Sequence, residues 1–399
     1  MKILFISPKI PYPPTDGGRW SIFGVVKYLN LRNHQIDLVA YKQNENPDQA
    51  EELRRFAKLF VLNVKTPNKL SGMIKNLFSP VPYNLWKYRS NELIAFVDEY
   101  FKENKPDIIH VNNLHMGWII DTLRLYSSVP IVIKEENLEM EIMRGFCENR
   151  KNLFVKLYSF IQYRKIRGYE PSLCEKFDLC VFVSKEDEAR IKRINRNIKS
   201  AVIPVGVEKS LLDMEINTKN QYSLVHIGSL AWYPNFDGIS WFLRKIYPLI
   251  LQKCPQTRLY LYGGGLPKGF NPESQIKSNV VIMGFVEDIW QSISDKLLAI
   301  VPLRIGSGIR VKILEMLARG QNIISTSLGV EGIPVSSGKE ILIADTEMEF
   351  AYKVIDYFSG RFDSASMTEC GRNLIRENYT WEKVAEKYEE HYNNLIGQL

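Results

Sequence analysis

This sequence has nothing like the roughly 18 consecutive apolar residues of a membrane-spanning helix, so no segment is expected to cross a bilayer. Cysteine is scarce. The five cysteines, Cys147, Cys174, Cys180, Cys254 and Cys370, include no CxxC pair, which argues against a zinc site or a disulfide framework and fits the reducing cytoplasm. The opening MKILFISPKIPYPP ends its apolar run at Pro8, too early for a signal-peptide core. There is no GxGxxG followed by an acidic residue about 20 positions on, which disfavours a dinucleotide oxidoreductase. Walker A is also missing, since the triplet Gly263-Gly264-Gly265 has no Lys-Ser/Thr pair behind it and reads as a flexible turn. No Asp-x-Asp or His/Cys cluster follows a strand, so neither a metal nor another cofactor is expected. No recognised nucleic-acid motif accompanies the basic residues, so nucleic acid is not expected as a partner.

What is present reads as a globular enzyme of two domains, because 399 residues exceed one ordinary core. Charge is unevenly spread: residues 1–200 hold 32 Lys and Arg against 23 Asp and Glu, while residues 201–399 hold 20 against 22. A basic first half suits an anionic substrate or an anionic membrane surface. Its cations interleave with aromatics in Lys75 to Arg89 and in Lys151 to Arg167. The second stretch carries Leu153, Leu157, Phe160 and Ile161 at helical spacing, an apolar stripe that either packs inward or lies on a membrane.

Short apolar runs alternate with helical patterns throughout. In the first half, strands are expected at residues 2–7, 35–40, 108–111, 131–133, 179–183 and 201–207, with helices at 20–31 and 48–60. In the second half, strands at 223–227, 258–262, 280–283, 298–302, 322–326 and 341–343 alternate with helices near 238–250, 289–295, 309–319 and 347–359. The class is α/β, with two doubly wound parallel sheets and ligand expected in the crevice at the carboxyl ends of their strands. The Pro/Gly break after residue 203 places the hinge, giving domains 1–204 and 205–379, with a closing helix at 380–399 opened by Thr380.

The densest chemistry lies in LLAIVPLRIGSGIRVKILEMLARGQNIIST, Leu297 to Thr326. Gly306 and Gly308 bracket Ser307, so backbone can approach a ligand, and a helix starting near Ile309 aims its orphan N–H groups at the same place. Arg310 and Lys312 add two cations, and Glu315 one turn later can accept from neutral hydroxyls, a combination that describes a nucleotide. On an ordinary surface helix, Glu315 would instead pair with Lys312 at i, i+3. Three further loops follow strands: Gly17-Gly18 before a helix, Gly228-Ser229-Leu230, and Gly284-Phe285-Val286, the last offering an aromatic face to a planar base.

On these residues the chain resembles the retaining nucleotide-sugar glycosyltransferases of family 4, which have two Rossmann-like domains facing across a cleft, the GT-B fold. The most specific parts are HIGSLAWYPNFDGISWF (226–242), VVIMGFVEDI (280–289), VPLRIGSGIRVKILEMLARG (301–320) and STSLGVEGI (325–333), supported by SPKIPYPPTDGGRW and VIPVGVE in the first half. The resemblance implies that Gly17 and Gly18 approach the donor diphosphate, that Arg310 and Lys312 hold it, that Glu315 bonds the ribose hydroxyls, and that Gly284-Phe285 meets the base. It also implies that the helix from Trp381 crosses back to the first domain.

The chain departs from the family at three places. Ser307 stands where a second glutamate is common, and Ser229, Ala231 and Asn235 occupy a loop that often holds an Arg and a Lys. Glu136 takes the slot of a common histidine. A retaining transfer without a fixed nucleophile stabilises the leaving diphosphate and an oxocarbenium-like transition state. Glu136 would serve as acceptor base or as a stabiliser of positive charge, or else is one surface carboxylate of an acidic cluster. His110 and His115 are either structural or acceptor-lining.

The resulting expectation is a metal-independent hexosyltransferase with a nucleoside diphosphate sugar donor and a saccharide or lipid-linked saccharide acceptor. Its expected setting is polysaccharide or glycolipid assembly, in the cytoplasm or peripherally on the cytoplasmic face of a membrane. A GT-B epimerase or phosphorylase and a catalytically silent nucleotide-sugar binder are the rivals.

Overall fold

The computed structural model describes residues 1–43, 50–148, 152–214, 220–266, 270, 277–306 and 308–397. They form two compact units, one of residues 1–206, 307–309 and 381–399, the other of residues 207–306 and 310–380.

The first unit is built on a seven-stranded sheet. Its strands are β1 (Lys2–Ser7), β2 (Gln35–Tyr41), β3 (Lys58–Leu62), β4 (Ile108–Asn112), β5 (Ile131–Glu135), β6 (Leu179–Phe182) and β7 (Ser200–Val202). They lie in the order β3-β2-β1-β4-β5-β6-β7, all parallel. Ile3, Leu4, Phe5 and Ile6 are completely buried, as a strand covered by helices on both faces requires. Strand β3 corrects the expected helix over residues 48–60. Helix is limited there to the single turn Glu51–Arg54, with residues 48 and 49 outside the described set. Residues 58–62 pair with β2, and Phe60 packs edge-on against Tyr100. Tertiary pairing outweighs the helical charge pattern of that stretch.

The second unit carries six parallel strands: β8 (Asn220–Ile227), β9 (Arg258–Tyr262), β10 (Val280–Gly284), β11 (Lys296–Val301), β12 (Ile323–Ser325) and β13 (Leu342–Ile343). Their order is β10-β9-β8-β11-β12-β13. Strand order therefore reverses between β8 and β11, and in open α/β sheets ligands bind at such switch points, outside the carboxyl ends. The segments that leave those two strands are Gly228–Leu230 and residues 302–310. The helix expected over 238–250 begins earlier, at Tyr233 with Pro234 in its first turn, and passes through a π turn at Phe242–Ile246 just before Pro248, which has no N–H to donate. The helix expected over 289–295 is one turn, Ile289–Ser292.

The closing helix, Trp381–Ile396, belongs to the first unit and packs on the helix Gly17–Leu31. Trp381 is fully buried between two glycines: a Cβ on Gly24 would come within 2.0 Å of its ring, and one on Gly206 within 2.4 Å. On the same helix, Glu389 accepts from Arg32 Nε at 2.9 Å, and Tyr392 OH meets His110 Nδ1 at 2.5 Å.

Candidate functional site

In the second unit the carboxyl edge of the sheet is laced together by backbone. Gly228 N–H donates to Tyr262 O (2.9 Å), Leu230 N–H to Gly264 O (3.0 Å) and Gly263 N–H to Gly284 O (2.7 Å), so the loops after β8, β9 and β10 lie side by side. Ser229 Oγ also donates to Gly264 O (3.2 Å), and its hydroxyl is thereby spent on the loop. At Gly228, φ is +150°, and an added Cβ would lie 2.6 Å from Asn235 Nδ2 and 3.2 Å from Lys312 Nζ. Only glycine lets β8 end this close to the lysine.

Lys312 stands in the first turn of the helix Val311–Arg319, which is held from behind. Ile313, Leu314, Met316 and Leu317 are buried, and Gly320 ends the helix in the left-handed region. Arg372 then donates to Ala318 O (3.3 Å) and Arg319 O (2.8 Å), covering the last carbonyls. Arg372 lies on the helix Ser364–Asn378, an element absent from the sequence reading. No side chain among the described residues caps the opposite, N-terminal end, which carries the positive end of the dipole.

Lys312 Nζ donates to Ile227 O (2.9 Å) and to Asn235 Oδ1 (3.0 Å), and Asn235 in turn donates to Ser229 O (2.9 Å). The ammonium thus rests on two neutral acceptors, with no carboxylate paired to it among the described residues. Burial, and then the charge of nearby Arg310, pull its pKa down to about 7. His226 is buried, with Nδ1 3.2 Å from Ile300 O, and burial followed by the Lys312 charge drive it well below its ordinary range. At Lys312 positive charge is held by neutral acceptors alone among the described residues, an electrostatic condition that favours an anion. Arg310, also buried, donates to Leu328 O (3.3 Å) and lies against Gly306.

Glu315 is half-buried and accepts no hydrogen bond from any described residue, and burial raises its pKa to about 8. The surface pairing of Glu315 with Lys312 does not form: the lysine turns instead to the end of β8. Gly284 closes β10 at φ +70°, and Phe285 beyond it is 64% exposed. Gly308 is buried, with φ +76°, a conformation that favours glycine. Ser307 lies outside the described residues.

The first unit gathers a second group. Asp16 caps the helix Gly17–Leu31 by accepting from Arg19 N–H (2.9 Å), and it also takes Lys9 Nζ at 2.8 Å. Burial alone would raise the Asp16 carboxyl, but Lys9 and Arg19 together hold it below its ordinary value. That helix end, expected to receive a ligand anion, already has an internal carboxylate on one of its donors. Gly17 is exposed; a Cβ on Gly18 would lie 3.2 Å from Glu136 Oε2 and 3.3 Å from Lys9 Nζ. Glu136 meets Lys134 Nζ at 3.4 Å, and Lys134, buried in the sheet, also donates to Ser21 O and Oγ. Burial lowers the Lys134 pKa, with Glu136 acting against it. Glu136 is therefore an anchored carboxylate beside bare backbone. His110 is spent on Tyr392 and His115 on Asn113, which fits structural roles for both.

Sequence reasoning placed Lys312 and Glu315 on one helix but missed what orients the lysine. The signal for Asn235 was its position in the first turn of a helix that follows a glycine loop. For Arg372 there was no local signal.

Comparison with known proteins adds the following. A family model for glycosyl transferases group 1 matches residues 221–359, and one for glycosyltransferase family 4 matches residues 15–211. An uncharacterised 44.6 kDa protein in the cps region of Klebsiella pneumoniae is 24% identical over 96% of this chain and 97% of its own. Among solved structures, a sucrose-phosphate synthase from Thermosynechococcus elongatus superposes with a TM-score of 0.77 at 16% identity, covering all of both chains. HepE of Anabaena, solved with UDP and glucose, gives a TM-score of 0.70 at 13% identity over 98% of this chain and 99% of its own.

Proposed function

We propose, from the premise that this chain belongs to the family 4-like glycosyltransferases and has the GT-B fold, that it transfers a hexose from a nucleoside diphosphate sugar with retention of configuration. The observation that carries the donor assignment is Lys312, an ammonium on two neutral acceptors at the end of β8, beside Arg310 and an uncapped helix N-terminus. A diphosphate supplies the missing negative charge. Glu315, with no protein partner among the described residues, is left for ribose hydroxyls. The Gly284-Phe285 turn provides an aromatic face for the base, in line with the UDP bound by the HepE structure.

For the chemistry, Lys312, Arg310 and the helix end stabilise charge that grows on the leaving diphosphate as the glycosidic bond breaks. The phosphate load needs no metal in this reading, because fixed cations meet it. Gly17 and Gly18 are assigned to the donor diphosphate on the family resemblance alone. Glu136, anchored by Lys134, is assigned to the acceptor side, taking the acceptor hydroxyl proton or facing the developing oxocarbenium charge. The likeness to a protein in the cps region of Klebsiella pneumoniae supports an acceptor in surface-polysaccharide assembly, a saccharide or its lipid-linked form; the reaction is assigned to the cytoplasmic side. A thermal-shift screen over UDP-, GDP-, ADP- and dTDP-sugars tests the donor class. One nucleotide series should stabilise the chain and release nucleoside diphosphate with an acceptor pool, and indifference to all four would overturn the reading.

A further inference from the structure

The helix Leu153–Cys174 turns its apolar stripe outward. Ser159, Gln162, Ile166 and Glu170 are its buried face, whereas Leu153 is 76%, Phe154 85%, Leu157 59% and Phe160 49% exposed. Farther along the same outer face come Arg164 and Arg167, both exposed. A second segment with the same character is fastened alongside. Asn76 Oδ1 accepts from Gln162 Nε2 (3.1 Å), and Lys165 Nζ donates to Asn76 O (2.6 Å) and Leu77 O (3.1 Å). That segment presents Leu70 at 74%, Ile74 at 55% and Phe78 at 91% exposure, with Lys69 and Lys75 exposed among them. Isolated surface leucines mean little, but large apolar side chains grouped on two joined segments mark an interaction surface.

Charge identifies the partner. Residues 58–91 and 149–169 contain six Lys or Arg each and not one Asp or Glu. None of Lys69, Lys75, Lys156, Arg164 and Arg167 pairs with a carboxylate among the described residues. Bulky hydrocarbon ringed by unopposed cations complements one environment well: the interface of an anionic bilayer, where Phe and Leu enter the acyl boundary and Lys and Arg meet phosphate headgroups. Among the described residues no helix is long and apolar enough to cross a membrane, so the contact is interfacial.

We infer that the outer face of the helix Leu153–Cys174, together with residues 69–78, docks the protein on an anionic lipid surface. This surface is independent of the donor assignment, and its test reads binding without turnover. Co-sedimentation of the full chain with vesicles of phosphatidylcholine mixed with phosphatidylglycerol should show binding that weakens steeply as salt rises, and pure phosphatidylcholine should bind far less. Phe78→Ser with Phe154→Ser and Leu157→Ser should cut binding at least tenfold, roughly the scale set by a few lost methylene insertions. Lys156→Glu with Arg164→Glu and Arg167→Glu should cut it by on the order of a hundredfold. All six side chains are exposed, so both triple variants should keep the wild-type circular dichroism and melting temperature. Wild type that ignores anionic vesicles, or folded variants that bind as well as wild type, would overturn the inference. So would sedimentation velocity showing a dimer dispersed by Phe78→Ser, since a second copy would then own the face.

Discussion

Lys312 is asked to be positive beside Arg310 with no carboxylate against it among the described residues, and burial, then the Arg310 charge, pull its pKa down to about 7. A bound diphosphate reverses the balance, raising the lysine pKa in the complex. The sign follows directly: donor affinity should be fully developed below pH 7 and decline as pH rises through and above it, because the free site must then take up a proton to bind. Calorimetric affinities from pH 6 to 9, on wild type and Lys312→Arg, check this, since arginine does not titrate there. A profile equally steep in the arginine variant would assign the titration elsewhere. Asn235 positions the lysine and should not touch substrate: Asn235→Leu should raise donor KM about tenfold, the scale of one hydrogen bond to a charged group, with kcat changed less. At Glu136, replacement by Gln should lower kcat by about 10²–10⁴, the range for a lost proton acceptor, and leave donor affinity intact. An unchanged kcat would return Glu136 to the role of ion-pair partner for Lys134.

The elements show where sequence reading succeeds and where it stops. Parallel strands buried on both faces, such as Leu4 to Ile6 or Leu298 to Val301, declare themselves as short apolar runs, so twelve of the thirteen strands could be located. Strand β3 could not, because Arg54, Arg55 and Lys58 next to Leu53 and Phe56 imitate an amphipathic helix, and only pairing with β2 decides. The outward stripe of Leu153, Leu157 and Phe160 was legible as helical but not as exposed, for periodicity gives a face and not its neighbour. Likewise the glycine loops were visible, while the bonds lacing Gly228, Gly263 and Gly284 depend on a strand order no local pattern holds. The closing helix offers a stability test at this scale. Gly24→Ala would drive a methyl into the Trp381 ring and should cost about 1–3 kcal/mol, and Trp381→Ala should cost about 3–5 kcal/mol for the cavity, both by urea unfolding. Two-state curves with wild-type midpoints would contradict the packing described.

For the whole molecule, one parallel sheet carries Lys312 on neutral acceptors at the end of β8, and the other carries the anchored carboxylate of Glu136 and a basic, apolar flank. The division matches the charge asymmetry in the sequence, which places the cationic excess in the half that also bears the proposed lipid surface. Family membership gives the reaction class, and the proposed donor site lies where the strand order reverses between β8 and β11, with Lys312 at the reversal. The most direct test of this account is calorimetric titration of UDP, GDP, ADP and dTDP into the full chain and into Lys312→Ala at pH 6.5. One nucleoside diphosphate should bind wild type and lose about 10- to 100-fold in affinity in the variant, equivalent to the roughly 1.5–3 kcal/mol of a charge-assisted contact. Equal affinity for wild type and variant, or no binding of any of the four to wild type, would contradict it.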